Sequence, residues 1–171
     1  MNNIYLTGLP GCGKTTIGHI ISDITKAPFI DLDTLIEKKS GMRIYDIFEN
    51  YSEIAFRDME TEALFSTASL ENTVIATGGG AVLRSQNTDF MKQHGSIVFI
   101  DRPPEQILTD IQTGPRPLLK GGQEAFLKLS VERRDIYIST ASAVVPNTGS
   151  ANDSALYIIN LFPDLLKSPR A

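Results

Sequence analysis

The stretch Gly8-Leu9-Pro10-Gly11-Cys12-Gly13-Lys14-Thr15 constrains this chain more than any other. It has the spacing G-x-x-x-x-G-K-[ST], and its flanks suit that pattern. Ile4-Tyr5-Leu6-Thr7 reads as a short strand, and Ile17, Ile20, Ile21 and Ile24 recur at i, i+3, i+4 and i+7, one face of a helix. A glycine loop between a strand and a helix is the setting of a phosphate site. Glycines let successive backbone N–H groups turn onto one anion, and the helix N-terminus adds partial positive charge. Lys14 can reach β- and γ-phosphates, and the Thr15 hydroxyl can ligate Mg²⁺. The alternative, a chance glycine-rich turn, fits neither flank. The chain is therefore expected to bind a nucleoside triphosphate.

Downstream, short apolar strands alternate with helical patterns. Pro28 to Ile30, Thr73 to Ala76, Ser96 to Ile100 and Ala143 to Val145 read as strands. Helices are expected after the glycine loop, from Thr34, around Ile44 to Phe48, from Ser52, before Gly95, from Pro103, from Gln123 to Thr140, and around Ala155 to Phe162. This alternation implies one α/β domain with a parallel sheet covered on both faces. Ligands in such sheets collect beyond the carboxyl ends of the strands. The glycine loop, Asp31 with Asp33, and Gly78-Gly79-Gly80 all fall at such ends.

Several side chains there could carry chemistry. Asp31 and Asp33 can hold Mg²⁺ or accept a hydroxyl proton; alternatively, Asp33 only caps the next helix. Arg57 and Glu60 stand at i, i+3, which taken alone reads as a surface ion pair of small energetic weight. The three glycines remove side chains where something approaches the backbone closely, and their N–H groups could meet a ligand oxygen. Arg116 sits in the glycine- and proline-punctuated segment from Thr113 to Gly122, the composition of a lid that brings a cation to phosphates. Arg133 falls inside an apolar face made by Phe126, Leu129, Ile136 and Tyr137, but Leu127, Val131 and Ile138 form a second stripe that contains Arg134. Periodicity leaves open which arginine points inward. Cys12 is either a small residue tolerated in the loop or a thiol made reactive by Lys14.

A formal net charge of −4 and the lack of a Lys/Arg-rich run argue against a nucleic-acid partner. With one cysteine in 171 residues, no intrachain disulfide or Cys-based metal cage can form. No signal peptide and no apolar run of membrane-spanning length is read, so the expected location is the cytoplasm; a monomer is taken as the default state.

In this order and spacing the motifs resemble the shikimate kinase family, from Ile4 to about Phe162. The segments that carry the resemblance are GLPGCGKTT (Gly8 to Thr16), FIDLD (Phe29 to Asp33), Ile36-Glu37, Gly41 with Ile44 to Phe48, Phe56-Arg57 with Glu60, GGGAV (Gly78 to Val82), RPLL (Arg116 to Leu119), and Arg133 with Tyr137. The resemblance implies a P-loop fold of three α/β/α layers, with five parallel strands in order 2-3-1-4-5 and a mobile lid. It implies transfer of the ATP γ-phosphate to the 3-hydroxyl of shikimate, a step towards aromatic amino acids, with Mg²⁺ as cofactor. By the same resemblance Gly11, Cys12, Gly13, Lys14, Thr15 and Thr16 hold ATP. Thr15 and, through water, Asp31 hold the metal. Asp33 binds the shikimate hydroxyls and serves as base, Arg57 and Arg133 clamp the carboxylate, Gly79 and Gly80 offer N–H groups, and Arg116 reaches the transferring phosphate. Two positions depart from the family pattern: Thr109 stands where many members carry an adenine-stacking arginine, and Ala151-Asn152-Asp153 where a proline or basic residues are common. This implies a looser grip on adenine. A P-loop GTPase would need D-x-x-G and N-K-x-D segments, which the chain lacks. A gluconate or nucleoside monophosphate kinase is the nearer alternative.

Overall fold

The computed structural model describes residues 3–113 and 121–163. Five parallel strands, β1 (Asn3–Thr7), β2 (Phe29–Asp31), β3 (Val74–Ala76), β4 (Gly95–Asp101) and β5 (Ala143–Pro146), lie in the order β2-β3-β1-β4-β5. The expected topology is thus observed. β1 is central in this order, and every one of its residues is buried, as a strand covered on both faces requires.

The helices are α1 (Lys14–Thr25), α2 (Leu32–Ser40), α3 (Ile44–Asn50), α4 (Glu53–Phe65), α5 (Ser85–His94), α6 (Pro104–Thr113), α7 (Gly122–Thr140) and α8 (Ala151–Leu161), with a 3₁₀ turn at Ala81–Leu83. α1 packs on α8; α4, α5 and α7 gather around the 3₁₀ turn. Ile17, Ile21, Ile75, Val98, Ile158 and the rings of Tyr5 and Phe126 lie in the continuous core.

Helix starts show how local chemistry sets boundaries. Ser52 caps α4 by accepting from the Ala55 N–H, and Ser150 caps α8 by accepting from the Asp153 N–H. α2 differs from expectation. It starts at Leu32, two residues early, because Asp31 and not Asp33 is the cap, accepting from the Thr34 N–H at 3.2 Å. Asp33 therefore sits on the first helical turn, while Asp31 stays in the extended backbone that ends β2. At α1 the cap is Gly13, at φ 104°, with no side-chain oxygen on the first-turn N–H groups. Those donors stay directed at whatever enters the loop.

Candidate active site

The phosphate loop wraps the start of α1. The Lys14 ammonium, largely buried, donates to the carbonyls of Gly8 (2.8 Å) and Leu9 (2.9 Å). Thr15 and Thr16 are exposed on the first turn. The Thr15 hydroxyl donates to the Asp31 carboxylate at 2.6 Å, which joins the start of α1 to the end of β2. Cys12 is fully buried in the core, so the loop thiol is a packing group and the reactive alternative has no accessible sulfur behind it.

Beside the loop opens a cleft of about 330 Å³, lined by Asp33, Arg57, Glu60, Gly78, Gly79, Gly80 and Arg133, with Pro10 of the phosphate loop in its wall. Phe48, Phe56, Ile44 and Leu129 supply its apolar sides. Four separate chain segments thus bring together the residues singled out in the sequence. Among the described residues, Asp33 Oδ1, Arg57 Nε and Glu60 Oε1 are buried polar atoms without a hydrogen-bond partner, and all three belong to this cleft. Such clustering marks a site shaped for a polar ligand.

Arg57 and Glu60 are not the expected surface pair. Glu60 is fully buried and holds the Arg57 guanidinium at 2.7 Å, while Glu53 makes a longer contact of 3.5 Å from the rim. The i, i+3 spacing was legible; the burial comes from α4 packing against the 3₁₀ turn and α2. Burial raises the Glu60 carboxyl above the ordinary range against the opposing pull of Arg57, Arg133 and Arg84.

Asp33 is raised from 3.8 to about 6, chiefly by burial. Nearby Lys14 pulls it down, and the carboxylates of Asp31, Glu60 and Glu37 push it up. It is therefore mostly ionised at neutral pH yet basic enough to take a proton.

The glycine triplet has a physical explanation that composition did not reveal. A Cβ on Gly78 would lie 2.3 Å from Glu60 Oε1 and 3.0 Å from Asp33 Oδ1; one on Gly80 would lie 2.3 Å from the Arg57 guanidinium. None of the three glycines has positive φ. Gly78 and Gly80 supply space for the charged heads, not unusual backbone angles, while a Cβ on Gly79 would lie 2.9 Å from the Pro10 ring.

The ambiguity on α7 resolves cleanly. Arg133 lines the cleft and acts on Glu60 and Tyr137, whereas Arg134 turns away and grips Asp101 through two bonds of 2.6 and 2.8 Å. The buried Tyr137 hydroxyl donates to the Gly79 carbonyl, and burial pushes its pKa up to about 12. Residue Arg116 and most of the expected lid lie outside the described residues. Thr109 bonds the Glu105 carbonyl of its own helix, and Asp153 accepts from the Ser150 hydroxyl at the start of α8.

Two loop contacts escaped the sequence reading. Arg102 donates to the Gly11 carbonyl at 3.3 Å, and buried Asn147 donates to the Cys12 carbonyl at 2.8 Å. Both lie just beyond a strand's carboxyl end, the position that had drawn attention to Asp31.

A triphosphate-type loop beside a cationic, acid-bearing cleft defines a small P-loop phosphotransferase. A family model for shikimate kinase matches residues 10–162, and the chain belongs to the shikimate kinase family, whose members are ATP-using kinases. It is 44% identical over 152 residues to a shikimate kinase of Clostridium botulinum strain Alaska E43, covering 89% of this chain and 92% of that one. It is similar to the structure of the Acinetobacter baumannii shikimate kinase in complex with shikimate, with TM-score 0.87, 36% identity and coverage of 96% and 94%. It also resembles the Aquifex aeolicus shikimate kinase structure, with TM-score 0.80, 37% identity and coverage of 92% and 94%. A Sinorhizobium meliloti gluconokinase, at TM-score 0.62 and 16% identity with coverage of 96% and 95%, shares the fold alone. No helix among the described residues is long and apolar enough to cross a membrane.

Proposed function

We propose that this protein transfers the γ-phosphate of ATP to the 3-hydroxyl of shikimate, with the nucleotide on the loop from Gly11 to Thr16 and shikimate in the Asp33–Arg57–Arg133 cleft. The observation that carries this reading is the meeting of two arginines and one ionisable aspartate in a cleft that shares Pro10 with the phosphate loop. Arg57 and Arg133 provide forks for a carboxylate. Asp33 orients the hydroxyls. The shikimate hydroxyl oxygen forms a bond to the γ-phosphorus as the bond from that phosphorus to the bridging oxygen of ADP breaks. The hydroxyl proton passes to Asp33. Lys14 and Arg116 offset the charge that spreads over the transferring group.

Thr15 and Asp31, 2.6 Å apart, offer a hydroxyl and a carboxylate. Mg²⁺ takes such a sparse oxygen set from protein when phosphates complete its shell. When bound, it would neutralise β- and γ-phosphate charge. The Gly79 and Gly80 N–H groups are proposed as further contacts to the substrate.

The test is ADP release from ATP and Mg²⁺ with shikimate, gluconate or a nucleoside monophosphate as acceptor. Stimulation by shikimate alone is expected. Stimulation by another acceptor in place of shikimate would overturn the assignment of the Asp33–Arg57–Arg133 cleft to shikimate. As a further check, Arg116→Ala should lower kcat by about 10³-fold or more while shikimate affinity holds; a mainly KM effect would contradict its assignment.

A further inference from the structure

The phosphate loop works only if its N–H groups face inward, which requires its carbonyls to face outward and find partners there. The structure supplies such partners for Gly8, Leu9, Gly11, Cys12 and Gly13. Lys14 takes Gly8 and Leu9, the Cys12 N–H also takes Leu9, Arg102 takes Gly11, and the Ile17 N–H takes Gly13. The Cys12 carbonyl is held from far along the chain, by the Asn147 side-chain amide at 2.8 Å.

Asn147 is itself fixed. It is 6% exposed. Its backbone N–H donates to the Asp101 carbonyl at 2.9 Å, which continues the β4–β5 ladder. Its Oδ1 accepts from the Ser154 hydroxyl at 3.1 Å, and that hydroxyl also faces the Pro146 carbonyl at 3.0 Å. The Cys12 carbonyl can only accept, so the amide orientation is set: nitrogen to the loop, oxygen to Ser154. A Cβ on Gly13 would lie 2.8 Å from Asn147 Nδ2. The missing side chain of Gly13 is thus the space the amide occupies.

The Cys12–Gly13 peptide is planar and trans, so its carbonyl and its N–H point in opposite directions. Holding the Cys12 carbonyl outward holds the Gly13 N–H inward. We propose that Asn147 is a positioning residue for nucleotide binding: through the Cys12–Gly13 peptide it aims the Gly13 N–H at the phosphates, and Ser154 keeps it in place. This rests on the reading that the phosphates lie on this loop. It also ties the segment after β5, next to the start of α8, to the phosphate site.

The test is calorimetric titration of the full-length protein with ADP and AMP, with ¹⁵N-glycine labelling to follow the Gly13 amide. Asn147→Ala should weaken ADP about tenfold, the weight of one hydrogen bond, with a smaller effect on AMP and none on shikimate. Addition of ADP should shift the Gly13 amide of the parent strongly and that of the variant much less. Asn147→Asp, which sets an acceptor against the Cys12 carbonyl, should lose more than Asn147→Ala. A merely structural role would lower the melting temperature and leave the ADP-to-AMP ratio and the Gly13 shift as in the parent; that result overturns the inference. If Asn147→Ala does not fold, Ser154→Ala keeps the amide but frees its far end, and should weaken ADP a few-fold relative to AMP; an unchanged ratio there is equally fatal. Lys14→Ala separates the two layers. If it leaves ADP binding intact, the phosphate-site reading fails and the inference with it. If it abolishes ADP binding while Asn147→Ala does not alter it, only the inference fails.

Discussion

Asp33→Asn should make the protein more stable and nearly inactive, and the stability gain should depend on pH. The folded carboxyl sits at about 6 against 3.8 when unperturbed. The folded state therefore binds more protons than the unfolded one between these values, and stability falls as pH rises through that window. Above it the full cost of keeping Asp33 ionised is about 3 kcal/mol, at about 1.4 kcal/mol per pH step. At pH 4.5 the same linkage leaves about 1 kcal/mol. An asparagine carries no charge and escapes this cost. In the ligand-free protein the variant should thus gain up to about 3 kcal/mol at pH 8, or roughly 6–12 °C in Tm for a chain of this size. At pH 4.5 the gain should be about one third of that. Urea and thermal denaturation at the two pH values measure it. kcat should fall by roughly 10²-fold or more with the base removed, and parent kcat/KM should decline below about pH 6. An equal gain at both pH values, or a loss at pH 8, would refute the reasoning, because the burial cost of the carboxylate would not be what raises the group.

Other perturbations separate the parts of the cleft. Glu60→Ala leaves the Arg57 guanidinium, whose side chain is only 12% exposed, without its close partner. It should cost about 3 kcal/mol or more and raise the KM for shikimate, read by urea denaturation and steady-state kinetics; unchanged stability would mean Glu53 suffices. Gly80→Ala should push the Arg57 head aside and lower kcat/KM for shikimate roughly 10²-fold, with KM for ATP unaltered; equal losses for both substrates would point to general disruption. Arg133→Ala should weaken shikimate binding, whereas Arg134→Ala, at a 52% exposed side chain paired to Asp101, should change stability by at most about 1 kcal/mol and leave shikimate binding alone. Calorimetry on both variants decides this. With Thr109 in place of an arginine, GTP should support turnover beside ATP; strict ATP selectivity would refute that.

The sequence by itself determined the phosphate loop, the parallel sheet and the family. These depend on contiguous residues: a left-handed glycine at the start of α1, a helix start without a side-chain cap, and strands whose apolar runs are continuous because both faces are covered. Segments whose caps are local, such as Ser52 and Ser150, were legible to within a few residues. Asp31 and Asp33 were legible as a pair but not in their roles, since either could close the first turn of α2 and only the geometry shows that Asp31 does.

The tertiary structure decided what neighbours in space do to one another. Glu60 reads as a surface acid until α4 is packed against α2 and the 3₁₀ turn. Arg133 and Arg134 lie on adjacent stripes of one helix, and only the position of Asp101 at the end of β4 draws Arg134 away. Gly78 and Gly80 are glycines because charged groups from α2 and α4 occupy the space of their side chains, a constraint their own backbone angles do not reveal. Asn147 meets Cys12 across 135 positions of sequence. Periodicity and spacing record what a residue does along its own segment; burial, charge pairing and steric exclusion belong to pairs of segments, and those are set only when the sheet brings the strand ends to one edge.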